Sequence, residues 1–394
     1  MMLPLEILLT LIGAALAIPA LILFAEVICA LVYRRRISAP SGQRPKVAIL
    51  MPAHDEASGI TPSLRSLLPQ LLPTDRLVVI ADNCTDDTAA VAAAAGAEVI
   101  ERQDRSRRGK GFALDFGVRH LEHDPPEVVI IADADCCFSA GTIDRLAREC
   151  RLHGRPVQGL YLMLSAEQAG TKTRIAQFAW LVKNLVRPTG LLALGLPCHL
   201  MGTGMAFSWG CIRSAQLATG HIVEDMQLGL DLARRGEAPQ FCPDVLVTSY
   251  FPQSDDGQRS QRTRWEHGHL GLIMTAAPRL LLTGLLKADV RMVALALDLM
   301  VPPLALLVML CTASVMVDGA FAVLSARAVP FALAAATLAL VGFAVLASWI
   351  RYGQHIISLY ALASAPVYAL RKVPVYIGFL WSRQLDWVRS KRDP

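Results

Sequence analysis

The sequence predicts an α/β fold: a Rossmann-like, mostly parallel sheet in a cytosolic domain, with transmembrane and interfacial helices at its N- and C-terminal ends. Three observations predict it. Between Lys46 and about Val247, short apolar runs alternate with helical patterns, which marks βαβ units with helices covering a parallel sheet. Apolar residues make up 54% of the 394 positions and charged ones only 18%, rich in the first and poor in the second for an ordinary soluble domain. Finally, Asp133-Ala134-Asp135 closes the run Val128-Val129-Ile130-Ile131, so two carboxylates stand at the C-terminal end of a buried strand, where open α/β sheets bind ligands.

The elements follow in order. Leu3 to Val32 carries only Glu6 and Glu26, and the uncharged stretch Ile7 to Ala25 comes close to the ~20 residues that cross a bilayer. It is too long for a signal-peptide core and no small-residue cleavage site follows, so residues 1–36 read as a retained anchor. Arg34, Arg35 and Arg36 place its C-terminal end in the cytoplasm. The Pro/Gly/Ser cluster from Ser38 to Pro45 makes residues 37–45 a linker. Val47 to Met51 is a first strand, stopped by Pro52. An amphipathic helix over Ser58 to Leu72 leads to a second strand, Leu77 to Ala81. Thr85 to Gly96 reads as an alanine-rich helix opened by Asp and Thr and closed by glycine, before a short strand Glu98 to Ile100. Helices are expected over Gly109 to His120 and Met226 to Arg235, and the cytosolic domain runs over residues 46–270.

Residues 271–290, apolar but carrying Arg279 and Lys287, suit a helix lying on the inner surface. Within residues 291–350, Met292 to Val317 and Val329 to Ile350 are long enough to span. Asp298, followed by Pro302-Pro303, would there reach headgroups or touch an acceptor at the membrane mouth. Ile356 to Trp381 holds Arg371-Lys372 near its middle, and burying that pair costs on the order of 5 to 7 kcal/mol, so residues 351–394 read as interfacial helices and a basic tail. Three spans return the domain and the tail to the cytoplasmic face of the inner membrane.

Composition narrows the chemistry. Nine cysteines include no CxxC pair, which excludes a zinc ribbon and a disulfide framework and suits reduced thiols. The formal charge of +5 concentrates on segments assigned to the cytoplasm, which suits anionic lipid and nucleotide; no nucleic-acid partner is expected. Asp133 and Asp135 would repel each other unless a hard cation, Mg²⁺ or Mn²⁺, bridged them to phosphate oxygens; an isolated pair is more often a simple turn. Asp82 ends the second strand, placed to accept an N–H from a base such as uracil N3–H; as a helix cap it is redundant with Thr85 and Asp86. Lys110, between two glycines, suits close approach to phosphate, whereas Arg107 and Arg108 read as solvated charge. Glu224-Asp225 opens a helix, where one carboxylate would deprotonate an acceptor hydroxyl, although acids favour that position on electrostatic grounds alone. Gly202-Thr203-Gly204 is a polar turn able to line an acceptor pocket or to be no more than a loop. Gln261, Arg264 and Trp265 fall on one helical face, a cation for a leaving diphosphate beside an aromatic platform for a sugar.

This ordered set resembles the membrane-integrated family-2 glycosyltransferases, whose processive members include cellulose and hyaluronan synthases, over Lys46 to Leu270 and in the membrane segments on both sides. The resemblance implies a GT-A fold in which Asp82 recognises the base and Asp133 and Asp135 hold nucleotide and metal. It implies donor contacts from Pro52, His54, Glu56, Asn83 and Lys110, Asp225 as the base of the Glu224-Asp225 pair, and Gln261, Arg264 and Trp265 as a QxxRW motif near diphosphate and acceptor. Two features depart from it: Cys136 stands where several relatives carry a metal-binding histidine, and three spans cannot enclose a secretion pore. The implied activity is inverting transfer of a hexosyl or N-acetylhexosaminyl group from a UDP-sugar to a lipid-linked or growing polysaccharide acceptor in exopolysaccharide synthesis, with copies of itself or other assembly proteins as partners. Two readings compete with it. A polyprenyl-phosphate sugar transferase has a phosphate acceptor that needs no such base, and a non-catalytic membrane subunit would only bind nucleotide sugar.

Overall fold

The structure, a computed structural model, describes residues 2–34, 42–252 and 254–381. Arg35, Arg36, most of the expected linker and the basic tail lie outside the described residues. The chain forms two compact units. One contains residues 42–164 and 196–268; the other contains residues 2–33, 165–195 and 269–381. Residues 165–195 thus group with the apolar helices, whereas the sequence suggests an uninterrupted domain over 46–270.

The first unit is built on an eight-stranded sheet: β1 (Val47–Ala53), β2 (Arg76–Asp82), β3 (Glu98–Arg102), β4 (Val128–Ile131), β5 (Cys137–Phe138), β6 (Val157–Leu164), β7 (Met205–Ser208) and β8 (Gln240–Tyr250), in the order β3-β2-β1-β4-β7-β6-β8-β5. β3, β2, β1 and β4 run parallel, β7 is antiparallel to both β4 and β6, and β5 is antiparallel to β8. The apolar runs are strands because both faces are covered. Ile49, Leu50, Val78, Ile80, Val129 and Ile131 have no exposed surface, each such side chain contributing roughly 1.5–3 kcal/mol by leaving water.

β1 runs through Pro52, where the sequence reading ends it. The Leu50 carbonyl accepts the Ala132 N–H, so residues of that parity address β4, and the β1–β4 pairing ends at Leu50 and Ile131. The missing N–H of Pro52 therefore points past the last paired residue of β4, where it costs no ladder bond. Two helices are shorter than expected. Ile60–Leu67 gives way at Leu68–Gln70 to a tighter turn containing Pro69, and Thr88–Ala94 starts late because Asp86 accepts the Thr88 N–H at 3.0 Å.

The second unit contains helices long and apolar enough to cross a membrane at Met2–Val32, Leu304–Ser325 and Val329–Gly353. A fourth candidate, Asp255–Leu286, includes the stretch expected to lie on the surface, and its polar first half belongs to the other unit. The span expected over Met292 to Val317 is broken instead: one helix covers Val290–Leu299, Pro302 and Pro303 interrupt the ladder, and a second begins at Leu304. Ile356 to Trp381 is divided among Leu359–Ala363, Ala365–Leu370 and Val373–Trp381, each too short to span.

Several charges of this unit are paired within it. Glu6 meets Arg327. Arg187, on the helix Arg187–Ala193, donates through Nε to Glu26 Oε2 at 2.8 Å and through Nη2 to both the backbone carbonyl (2.6 Å) and the carboxylate of Asp298. Asp298 is only 7% exposed and holds Arg187, which leaves little of it open to headgroups or an acceptor.

Candidate active site

Because β1 lies between β2 and β4, the segments leaving their C-terminal ends, Pro52–Glu56, Asp82-Asn83 and Asp133–Asp135, emerge side by side. His54 Nδ1 lies 2.7 Å from the Asp82 carbonyl oxygen, and the Glu56 carbonyl accepts the Gly59 and Ile60 N–H groups that open the next helix. Asp82 is nearly buried. Its Oδ1 accepts from Arg102 Nη1 at 2.6 Å and from Asn83 Nδ2 at 2.9 Å, while Asn83 Oδ1 accepts the Asp104 N–H at 2.8 Å. Burial pushes the Asp82 carboxyl above its ordinary range, against the pull of Arg102. Arg102 is absent from the sequence-based set because the strand carrying it, β3, seemed to stop at Ile100; the observed register sets Asp82 directly opposite Arg102.

At the neighbouring strand end, Lys110 Nζ donates to the Asp133 carboxylate and, at 2.7 Å, to the Gly202 carbonyl oxygen. Burial alone would lower the Lys110 ammonium, but the charges of Asp133, Glu224 and Asp225 outweigh it and hold the group above its ordinary value. The Asp133 carboxyl is raised by burial and by Asp135 and Asp225, with Lys110 opposing. Gly111, after Lys110, is glycine for a reason other than ligand approach. A Cβ there would lie 2.3 Å from the Leu217 carbonyl oxygen, so only glycine lets the 217–219 loop pack on this helix.

The Gly202-Thr203-Gly204 turn also differs from its expected role. Thr203 is fully buried; its Oγ1 accepts the Asp133 N–H at 3.1 Å, and its carbonyl accepts Gln158 Nε2 at 2.9 Å. Gly204 is buried too, its N–H donated to the Ile131 carbonyl at 2.9 Å. Neither is open to an acceptor. Both fix the backbone under Asp133, and only Gly202 faces the site: a Cβ on it would lie 3.3 Å from Asp225 Oδ2, 3.8 Å from Lys110 Nζ and 3.9 Å from Asp133 Oδ2.

Asp133, Asp135 and Cys136 bring potential ligand atoms within 4.8 Å of one another. The two carboxylates fit a hard divalent cation. The Cys136 thiol does not: it is buried, and burial with the Asp135 and Asp133 charges pushes it well above its ordinary range, leaving a neutral soft donor.

Glu224 and Asp225 begin the helix Glu224–Arg234 and line a recess of about 20 Å³, room for roughly one water, with Lys110, Gln216 and Thr219. Burial and the Asp225 charge push the Glu224 carboxyl up to about 7, with Lys110 and Arg264 opposing. Gln261, Arg264 and Trp265 lie on the helix Asp255–Thr275, on the face that Gly268 continues one turn later. A Cβ at Gly268 would fall 2.5 Å from Val223 Cγ1, so this face approaches the segment opening the Glu224 helix. The structure thereby brings Lys110, Asp133, Gly202, Glu224, Asp225 and Arg264 together, with Asp82, Asn83 and His54 at the neighbouring strand ends.

Residues 45–268 match the family model described as glycosyltransferase like family 2. The probable glycosyltransferase YdaM of Bacillus subtilis is 25% identical over 258 residues, 58% of this chain and 56% of that protein. An uncharacterized glycosyltransferase of Mycobacterium tuberculosis is 34% identical over 122 residues, 29% of this chain and 51% of that protein. The chain thus spans about half the length of these relatives. Among solved structures, the mannosyltransferase PcManGT from Pyrobaculum calidifontis, in complex with GDP-Man and Mn²⁺, superposes with a TM-score of 0.56 at 16% identity, covering 95% of this chain and 100% of that one. The sheet is accordingly that of a GT-A fold. Since the family model covers more than half of the chain, the chain belongs to glycosyltransferase family 2.

Proposed function

We propose that the protein is an inverting transferase that moves a hexosyl or N-acetylhexosaminyl group from a UDP-sugar to a hydroxyl of a lipid-linked or growing polysaccharide acceptor. The observation that carries this reading is the convergence of Lys110, Asp133 and Asp225 on Gly202, which sets a cation and a carboxylate base around one small opening. Asp225 would take the proton from the acceptor hydroxyl as that oxygen attacks the anomeric carbon. The glycosidic bond to the donor diphosphate breaks on the opposite side, and Lys110 with Arg264 stabilises the leaving oxygens. Asp135 and Asp133 would hold a Mg²⁺ or Mn²⁺ ion, which when bound supplies counter-charge for the diphosphate. The bound GDP-Man and Mn²⁺ of the Pyrobaculum enzyme support a nucleotide-sugar donor and a divalent cation.

The helices of Met2–Val32, Leu304–Ser325 and Val329–Gly353 support attachment to the inner membrane, with the catalytic unit on the cytoplasmic face. Exopolysaccharide or cell-surface glycan assembly, with copies of the chain or other assembly proteins, is the setting that suits such an acceptor. The test is to incubate the full chain in lipid with UDP-sugars, Mg²⁺ or Mn²⁺ and glycolipid acceptors, and to identify the product. A β-linked product from an α-linked donor is expected, with turnover lost in EDTA and in Asp135→Ala. Full activity in EDTA would remove the metal from the mechanism.

A further inference from the structure

This inference rests on the nucleotide-sugar reading and concerns the base the site accepts. An ionised carboxylate oxygen offers about two acceptor positions. Asp82 Oδ1 has both filled, by Arg102 Nη1 at 2.6 Å and Asn83 Nδ2 at 2.9 Å; Oδ2 accepts no hydrogen bond among the described residues. Arg102 is itself fixed. Its Nη2 donates to the Arg107 carbonyl oxygen at 2.8 Å and to Asp104 Oδ2 at 3.3 Å, and its guanidinium lies 5.8 Å from the centre of the Phe112 ring. The Asp104 N–H donates to Asn83 Oδ1, which closes the ring of contacts.

Asp82 is therefore left with one oxygen for a ligand. The bases differ in what they ask of it. Guanine presents N1–H and an exocyclic N–H side by side, a pair that needs both carboxylate oxygens. Uracil presents a single N3–H. The amino groups of cytosine and adenine come with an adjacent ring-nitrogen lone pair that a carboxylate repels. We propose that Arg102 is the specificity-determining residue for the donor base: by occupying Asp82 Oδ1 it makes the site select uridine over guanosine nucleotides. Arg102 acts through Asp82, as a positioning residue.

The experiment measures dissociation constants of UDP, GDP, CDP and ADP by calorimetry on the full chain in lipid nanodiscs with Mn²⁺. UDP is expected to bind the wild type at least ~10-fold more tightly than GDP, the equivalent of one charge-assisted hydrogen bond. Arg102→Met, which frees Oδ1, is expected to bring the UDP/GDP ratio toward unity, while Arg102→Lys, which keeps a donor for Oδ1, retains the preference. A general loss of structure would weaken both nucleotides without changing their ratio. If Arg102→Met does not fold, the wild-type ratio and Arg102→Lys still decide. UDP and GDP binding equally to the wild type would overturn the inference and leave the nucleotide-sugar reading standing, as would an Arg102→Met variant with the full preference. Failure of every nucleotide to bind would overturn that reading, and this inference with it.

Discussion

Lys110 Nζ bridges the Asp133 carboxylate and the Gly202 carbonyl oxygen, tying the end of β4 to the turn before β7. The same ammonium faces Glu224 and Asp225, so a single cation answers three carboxylates at the point where a diphosphate would leave. Lys110→Met should therefore reduce transfer by about 100- to 1,000-fold, the usual cost of removing one preorganised group that stabilises developing negative charge. Steady-state rates with saturating donor decide it; a variant with unchanged kcat would confine Lys110 to holding Asp133.

On the proposed mechanism the adjacent carboxylates would divide into two roles, with Asp225 as the base. Asp225→Asn keeps the shape and removes the base, so UDP binding should survive while transfer falls about 100-fold or more. Equal loss of binding and turnover would assign Asp225 to donor recognition instead.

Glu224 should be visible in stability. Its carboxyl is raised from 4.5 to about 7 in the folded chain, so folding favours the protonated form. That contribution is fully present below about pH 4.5 and is lost as the pH rises through about 7. In EDTA, the unfolding temperature of the wild type should fall between pH 5 and 8 relative to that of Glu224→Gln (window set by the linkage relation). Parallel curves for the two proteins would show that Glu224 ionises normally beside Lys110.

How much of this was legible in the sequence depended on where each element sits. Val128–Ile131 is visible because both faces of β4 are buried, leaving a continuous apolar run that ends at Asp133. β3 is an edge strand, and its last residues, Glu101 and Arg102, carry the charge that edges tolerate, so the pattern conceals the strand and the partner of Asp82. Pro52 looked like a stop because a sequence does not show that the neighbouring strand has already ended. Pro302-Pro303 carried the signal for the helix break, but the uniformly apolar surroundings suggested one span. Residues 165–195 join the apolar unit through contacts distant in sequence, which local periodicity does not report. Asp82, Lys110, Asp133 and Glu224 were legible as candidates because each sits at or just past a strand or helix terminus; the burial of Thr203 and Gly204 was not, since a polar turn reads alike inside and outside.

The Arg187 cluster gives a test of the other unit. Arg187→Met would leave Glu26 and Asp298 buried together without a counter-charge, and Glu26 Oε1 already has no hydrogen-bond partner among the described residues. The loss should be about 3–5 kcal/mol, read as a lower unfolding midpoint in lipid or detergent. Adding Glu26→Gln and Asp298→Asn should recover most of it. Failure of the triple variant to recover would mean that the packing of the arginine, rather than its charge, holds these helices.

On the proposed mechanism, the face carrying Gln261, Arg264 and Trp265 would separate acceptor handling from departure of the diphosphate. Arg264 is close enough to lower the Glu224 carboxyl, and Gly268 brings its helix against Val223, so the stripe of Gln261, Arg264 and Trp265 stands beside the proposed base. If Trp265 stacks on a sugar of the acceptor, Trp265→Ala should weaken transfer to a glycosylated acceptor far more than hydrolysis of the donor by water. Arg264→Ala should depress both reactions, because a leaving diphosphate needs its counter-charge whichever nucleophile attacks. Measuring both rates for each variant separates the roles: stacking serves only a reaction with an acceptor ring, so equal impairment in Trp265→Ala would make this tryptophan part of the packing of the site.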